Sequence, residues 1–275
     1  MIVQSSIQLS KGINEKEKSM DTAKSIFHGR IIAFEGLDNS FKETNYKAFV
    51  SRLRSLQSRN DVRNDIRNLE IKTESFPRYG TQPAIMLEKW LDGSLDRQHM
   101  KDHPIATCNL YCMDRLAYWY ESVHGMERNI DKLKNQESVF IFDRYSSSNA
   151  IYNPMTNLHN VSVADLLYDE KTYGIPTPDI VVWMRMRDFG VLEHLIAKKA
   201  NKDLNELDTS YIREVWERSE RAINSNVFAS AGINLIVIDV LNDDISVASD
   251  TGIIKSREQL ADEIWRRIIE EAERL

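Results

Sequence analysis

The chain has 275 residues, 42% of them hydrophobic and 28% charged, and a formal net charge of −6. That length accommodates one sizeable α/β domain or two small ones. The acidic balance disfavours a surface that coats nucleic acid, yet leaves room for a local basic pocket, and no apolar run approaches the length needed to cross a bilayer.

Residues 1–28 are polar and lysine-rich and lack the apolar centre of a signal peptide, so they read as an extension outside the fold. From there the chain alternates. Apolar runs at 31–34, 69–76, 139–142, 180–186 and 233–240 read as buried parallel strands, the second marred by Lys72 and Glu74. After the first run, Tyr46, Phe49, Val50, Leu53 and Leu56 recur at helical spacing and form one apolar stripe. Cys108 and Cys112 stand four apart in a helix-like segment, poor geometry for a mutual disulfide, which points to a reducing, cytoplasmic setting. His99 and His103 lie just upstream, but Pro104 interrupts the segment and no zinc-type spacing is present. Stretches 153–160 and 242–256 are turn-rich and read as surface loops. Near the end, Ser256-Arg257-Glu258-Gln259 is a capping box, followed by Leu260, Ile264, Trp265, Ile268 and Ile269 on one helix face. Strands alternating with helices predict a doubly wound, five-stranded parallel sheet flanked by helices, one α/β domain spanning 29–275.

Two strand ends carry chemistry. The run 139–142 terminates in Asp143-Arg144-Tyr145, placing a carboxylate and a guanidinium at the sheet's carboxyl edge, where open α/β folds bind ligands. The carboxylate can serve a metal or a hydroxyl, and the arginine fork can grip phosphate; a structural ion pair is the plainer reading of the tripeptide alone. The first run leads from Gly36 through Leu37, Asp38, Asn39, Ser40 and Phe41 to Lys42, the strand-to-helix context of a phosphate-binding loop. That loop asks for Gly, four residues, then Gly-Lys-Ser/Thr. Gly36 and Lys42 fit, but Phe41 replaces the second glycine and Glu43 the magnesium-binding hydroxyl. Thr44 is one residue too late, since one step along a helix turns the side chain by about 100°.

Taken in order, these segments resemble thymidylate kinase, a P-loop family that transfers the γ-phosphoryl group of ATP to dTMP. The family's Phe-Glu-Gly-x-Asp-Gly-x-Gly-Lys-Thr-Thr stretch corresponds to Phe34 through Thr44. Phe76-Pro77-Arg78 matches a Phe-Pro-Arg segment. Tyr111 precedes Arg115 as the family's aromatic precedes its arginine. Asp143-Arg144-Tyr145, with Ser148, Tyr152 and Asn153 downstream, resembles its Asp-Arg-Tyr/His segment. The resemblance covers about residues 30–275 and implies a P-loop NTPase-type fold. It implies that Arg78 holds the acceptor 5′-phosphate, Tyr111 stacks on the pyrimidine, and Arg115 fixes base and phosphate. Arg144 would bridge the acceptor and donor phosphates, Ser148, Tyr152 and Asn153 would line the acceptor nucleotide, and Asp38 would stand near the acceptor phosphate and magnesium. Gly36, Asn39, Ser40, Phe41, Lys42, Glu43 and Thr44 would form the ATP loop, with Asp143 and Glu43 as candidate Mg²⁺ ligands. The family's mobile segment after strand four carries arginines; here Asp203-Leu204-Asn205-Glu206 has leucine instead, leaving Lys199 and Lys202, beside Lys198, for the donor phosphates. The implied partners are ATP, Mg²⁺ and dTMP or a related pyrimidine monophosphate, in a homodimer. Trp90, Trp119 and Tyr120 are candidates for interface or core.

The acceptor half matches the family better than the ATP half. A thymidylate-type kinase with a modified loop, a catalytically impaired homologue that binds nucleotides or a partner, and a kinase for a different acceptor all remain open at this level, the last because Asn153 replaces the usual glutamine.

Overall fold

Three strands buried along their whole length form the centre of a five-stranded sheet: β1 (Ile31–Gly36), β3 (Ser138–Asp143) and β4 (Ile180–Arg185), whose exposure rises only at its last residue. A strand covered on both faces has no polar positions to alternate, hence the unbroken apolar sequence. β2 (Glu70–Ser75) and β5 (Asn234–Asp239) are edge strands of intermediate burial, which is why Lys72 and Glu74 are tolerated in β2. All five predicted strands form, in the order β2-β3-β1-β4-β5, and every pairing is parallel. The register aligns Phe34 with Asp143 and Gly36 with Met184, so the ends of β1, β3 and β4 lie side by side. The chain leaves β1 past β3 to reach β2, and leaves β3 past β1 to reach β4, so the connections diverge where β1 and β3 meet. Such a divergence opens a crevice at the carboxyl edge.

This computed structural model describes residues 26–59, 67–96, 98, 103–122, 125–136, 138–152, 162–200, 208–242 and 254–275. In chain order the helices are α1 (Lys42–Gln57), α2 (Ile85–Leu91), α3 (Pro104–Tyr120), α4 (Asn129–Lys134), α5 (Ser146–Tyr152), α6 (Val163–Thr172), α7 (Phe189–Lys198), α8 (Thr209–Ile223), α9 (Val227–Ser230) and α10 (Arg257–Ala272). The stripe expected on α1 is buried as a unit, and the α10 capping box forms, Ser256 accepting from the Gln259 amide and Gln259 reaching back to the Ser256 amide. Phe49 of α1 and Trp265 of α10 pack at 5.4 Å between ring centroids.

Phe27 is fully buried and lies 6.3 Å from the rings of both Phe49 and Trp265. The packed unit therefore takes in residues 26–28, which composition assigned to the extension; residues 1–25 lie outside the described part. Cys108 and Cys112 are free thiols packed in the core, and burial raises both. Trp90 and Trp119 are buried, the indole of Trp119 donating to the Tyr145 hydroxyl at 2.6 Å, while Tyr120 is 38% exposed. Of the two expected surface loops, 153–160 lies outside the described residues, as does 243–253. Among the described residues no helix is long and apolar enough to cross a membrane.

Candidate active site

The turn after β1 is built on backbone angles that its sequence does not advertise. Gly36 has φ 146°, and a Cβ there would meet the Ser40 hydroxyl at 2.6 Å and the Met184 carbonyl at 2.7 Å, so glycine is required. Asn39 and Phe41 have φ of 64° and 61°, in the left-handed region that glycine enters freely. These are the second and third glycine positions of the thymidylate kinase motif. Asparagine tolerates such angles; phenylalanine is strained there by about 1–2 kcal/mol. The strain is held by neighbours. The Asn45 side chain and amide both donate to the Phe41 carbonyl, at 2.8 and 3.1 Å, and the Phe41 ring packs against the core. The Ser40 hydroxyl is buried without a hydrogen-bond partner.

Lys42, the first residue of α1, is buried, and its Nζ meets Asp143 Oδ1 at 2.6 Å across the strand ends. Burial and the nearby Arg144 charge lower its pKa, against the pull of Asp143. Glu43 faces solvent and pairs with Lys47 at 2.5 Å, which holds its carboxyl below the usual range; Thr44 is exposed.

At the end of β3, Arg144 has φ 65°, and its amide donates to the Phe34 carbonyl at 2.9 Å. Its guanidinium pairs with Asp38, donates to the Ser148 hydroxyl at 3.3 Å, and lies 5.0 Å from the Tyr152 ring centroid. The Tyr152 hydroxyl in turn accepts the Asp38 amide at 3.0 Å, tying α5 to the loop. α8 holds the far end of α5: the Tyr211 hydroxyl donates to the Tyr152 carbonyl at 2.9 Å and Arg218 to the Ile151 carbonyl at 2.8 Å.

The other two arginines are held by carboxylates on helices. Arg78, after β2, donates its amide and Nε to the Asp114 carboxylate, each at 2.8 Å, and Nη2 to the Asp114 carbonyl at 3.0 Å. Arg115 is fully buried and doubly bonded to Glu170 of α6, whose carboxylate also accepts from Asn149 at 2.9 Å. Tyr111 lies within electrostatic reach of Arg144 and Arg115, and burial raises its hydroxyl well above the usual range.

Thus Asp38, Lys42, Asp143, Arg144, Ser148 and Tyr152 form one linked cluster, and Tyr111 adjoins it. Lys199 is exposed just after α7. Asn153 and Lys202 lie outside the described residues. Sequence reasoning did not single out Glu35, Asp114, Asn149 and Glu170. Asp114 adjoins Arg115 in the chain, but Glu170 is 55 residues from Arg115 and no local pattern links them.

The loop's curled backbone and Lys42 suit a polyphosphate. For magnesium the donor set is thinner: Asp143 is engaged by Lys42, Glu43 faces away, and among the described residues no group of three or more His, Cys, Asp or Glu is placed to hold a metal. One or two carboxylates suffice where Mg²⁺ arrives on nucleotide phosphates.

No protein-family model and no curated protein sequence matches this chain. Among solved structures, thymidylate kinase from Ehrlichia chaffeensis superposes with a TM-score of 0.51 at 13% identity, covering 88% of this chain and 98% of that one. The fold is that of a thymidylate kinase. At such identity the likeness fixes the path of the chain and leaves the chemistry to be argued from the side chains.

Proposed function

We propose that the protein is a nucleoside monophosphate kinase of the thymidylate type, transferring the ATP γ-phosphoryl group to dTMP. The observation that carries this reading is the loop after β1: with Asn39 and Phe41 left-handed, it takes the curled path expected where glycines stood and brings Lys42 to the end of β3. Phosphoryl transfer asks little covalent work of a protein; it needs two nucleotides held in line and positive charge around the migrating group. In this reading the loop amides and Lys42 hold the donor phosphates, and Arg144 lies between donor and acceptor. Asp38 orients that guanidinium, Arg78 takes the acceptor phosphate, and Tyr111, Ser148 and Tyr152 line its nucleoside. Magnesium, bound with ATP, would neutralise charge on the phosphate oxygens, and Asp143 is the carboxylate that would help hold it. Arg115, committed to Glu170, anchors α3 beneath Tyr111.

A specific observation favours a second reading, a homologue that binds nucleotide with little turnover. Lys42, Arg144 and Arg78 each already pair with a carboxylate, and the hydroxyl position of the loop is a solvent-facing Glu43. An incoming phosphate must share these cations with their carboxylates. A coupled ADP-release assay with ATP, Mg²⁺ and each deoxynucleoside monophosphate separates the two. Turnover with dTMP supports the kinase, whereas a rise in Tm with dTMP and no turnover supports the binder. Arg78→Ala is expected to weaken dTMP binding by about 2 kcal/mol; unchanged affinity removes Arg78 from the site.

A further inference from the structure

Glu35 is the most deeply buried carboxylate near the candidate site, and nothing in the proposed chemistry uses it. Its side chain is fully enclosed at the end of β1, yet among the described residues no cation pairs with it directly. One oxygen accepts the amides of Tyr145 and Ser148 at 2.9 and 3.1 Å, and the other accepts the Ser148 hydroxyl. Both amides follow Arg144 in the chain. The Ser148 hydroxyl also accepts from Arg144 Nη1 at 3.3 Å.

We propose that Glu35 is a positioning residue for Arg144, setting both its backbone and its guanidinium from beneath. The backbone argument starts from φ 65° at Arg144, a conformation that non-glycine residues keep only where neighbours over-determine it. Here the amide of Arg144 is fixed by the Phe34 carbonyl and the next amide, that of Tyr145, by Glu35. Adjacent residues of β1 therefore hold the peptides on both sides of Arg144. The side-chain argument concerns proton direction. A hydroxyl has one proton, and an ionised carboxylate can only accept. Glu35 thus accepts the Ser148 O–H hydrogen bond and leaves the Ser148 lone pairs turned toward Arg144. Burial raises the Glu35 pKa overall, while the hydrogen bonds from Ser148 and the charges of Arg144 and Lys42 oppose that rise.

Glu35→Gln keeps the shape and reverses this direction, because a glutamine amide can donate to Ser148 and compete with Arg144 for its lone pairs. This inference deepens the kinase reading but is tested without it, on the full chain, by ¹⁵N NMR of arginine side chains, with the Arg144 signal assigned through Arg144→Lys. In Glu35→Gln the Nη1 protons of Arg144, which donate to Ser148, are expected to exchange with solvent at least about tenfold faster than in wild type, while the Nε–H of Arg115, held by Glu170, stays unchanged. Equal exchange at Arg144 in the two proteins overturns the proposal. If Glu35→Gln does not fold, Glu35→Asp keeps the charge, draws the carboxylate back from Ser148 by one methylene and leaves the Ser148 hydroxyl in place for Arg144. Faster exchange at Arg144 then supports the proposal, and none overturns it. Where turnover exists, kcat should fall about tenfold or more with KM for ATP nearly unchanged, the signature of a misplaced group rather than of a weakened fold. A protein inert as a kinase but responsive at Arg144 keeps this inference and loses the functional reading.

Discussion

Replacing Phe41 by glycine and by alanine tests the loop geometry directly. Both substitutions delete the same half-buried ring, so its packing loss cancels between them, and the variants differ by a single Cβ. At φ 61° that Cβ costs about 1–2 kcal/mol. Glycine's greater freedom in the unfolded chain takes back about 0.5–1 kcal/mol. Glycine should therefore be the more stable by about 0.5–1 kcal/mol, worth about 1–2 °C in Tm for a chain of 275 residues. Urea unfolding followed by tryptophan fluorescence would read this as a higher midpoint at unchanged slope. Phe41→Asn should fall close to glycine, since asparagine also enters the left-handed region. An alanine variant as stable as the glycine variant would mean that residue 41 is not left-handed, and the case for a phosphate-binding path would fall with it.

Further outcomes follow from the same geometry. Glu170→Ala strands the buried Arg115 charge and should cost about 3–5 kcal/mol in urea unfolding, whereas Arg115→Met with Glu170→Met should recover most of it; a double variant no better than the single one refutes the pairing. Gly36→Ala should cost about 3 kcal/mol or more, because the Met184 carbonyl it meets is backbone and cannot yield cheaply, while Ser40→Ala should be neutral or stabilising by up to about 1 kcal/mol. Glu70 sets an acid limb: partial burial opposes its charge, but hydrogen bonds from Lys72, Lys132 and Ser138 outweigh it and bring the carboxyl down to about 2. As pH falls from the ordinary carboxylate range toward 2, the unfolded chain protonates first and stability drops; Glu70→Gln should flatten that part of the Tm-against-pH curve.

The loop shows why part of the site was legible and part was not. Gly36 and Lys42 announce it, while Phe41 reads as a departure, because a sequence pattern records the usual residue for a backbone angle and not the angle itself. Tertiary packing overrides the preference when, as with Asn45 and the core beneath the Phe41 ring, enough neighbours fix the turn. Arg78, Arg115 and Arg144 stand out as cations in the sequence. Asp38, the partner of Arg144, stands out as part of the loop motif, but Asp114 and Glu170 do not, since a charge pair leaves no trace of its own in a sequence. Phe27 shows the reverse error: composition placed it outside the fold, and only its burial between Phe49 and Trp265 brings it in.

What the sequence determined by itself is the set of strands and the order in which they occur, because burial on both faces demands continuous apolar runs and the α1 and α10 stripes demand helical spacing. What only the tertiary structure decided is strand adjacency, with β3 inserted between β2 and β1, and hence which strand ends share an edge. Adjacency is set by pairings between residues far apart in the chain, Glu70 with Ser138 and Phe34 with Asp143 among them, and no local spacing encodes those.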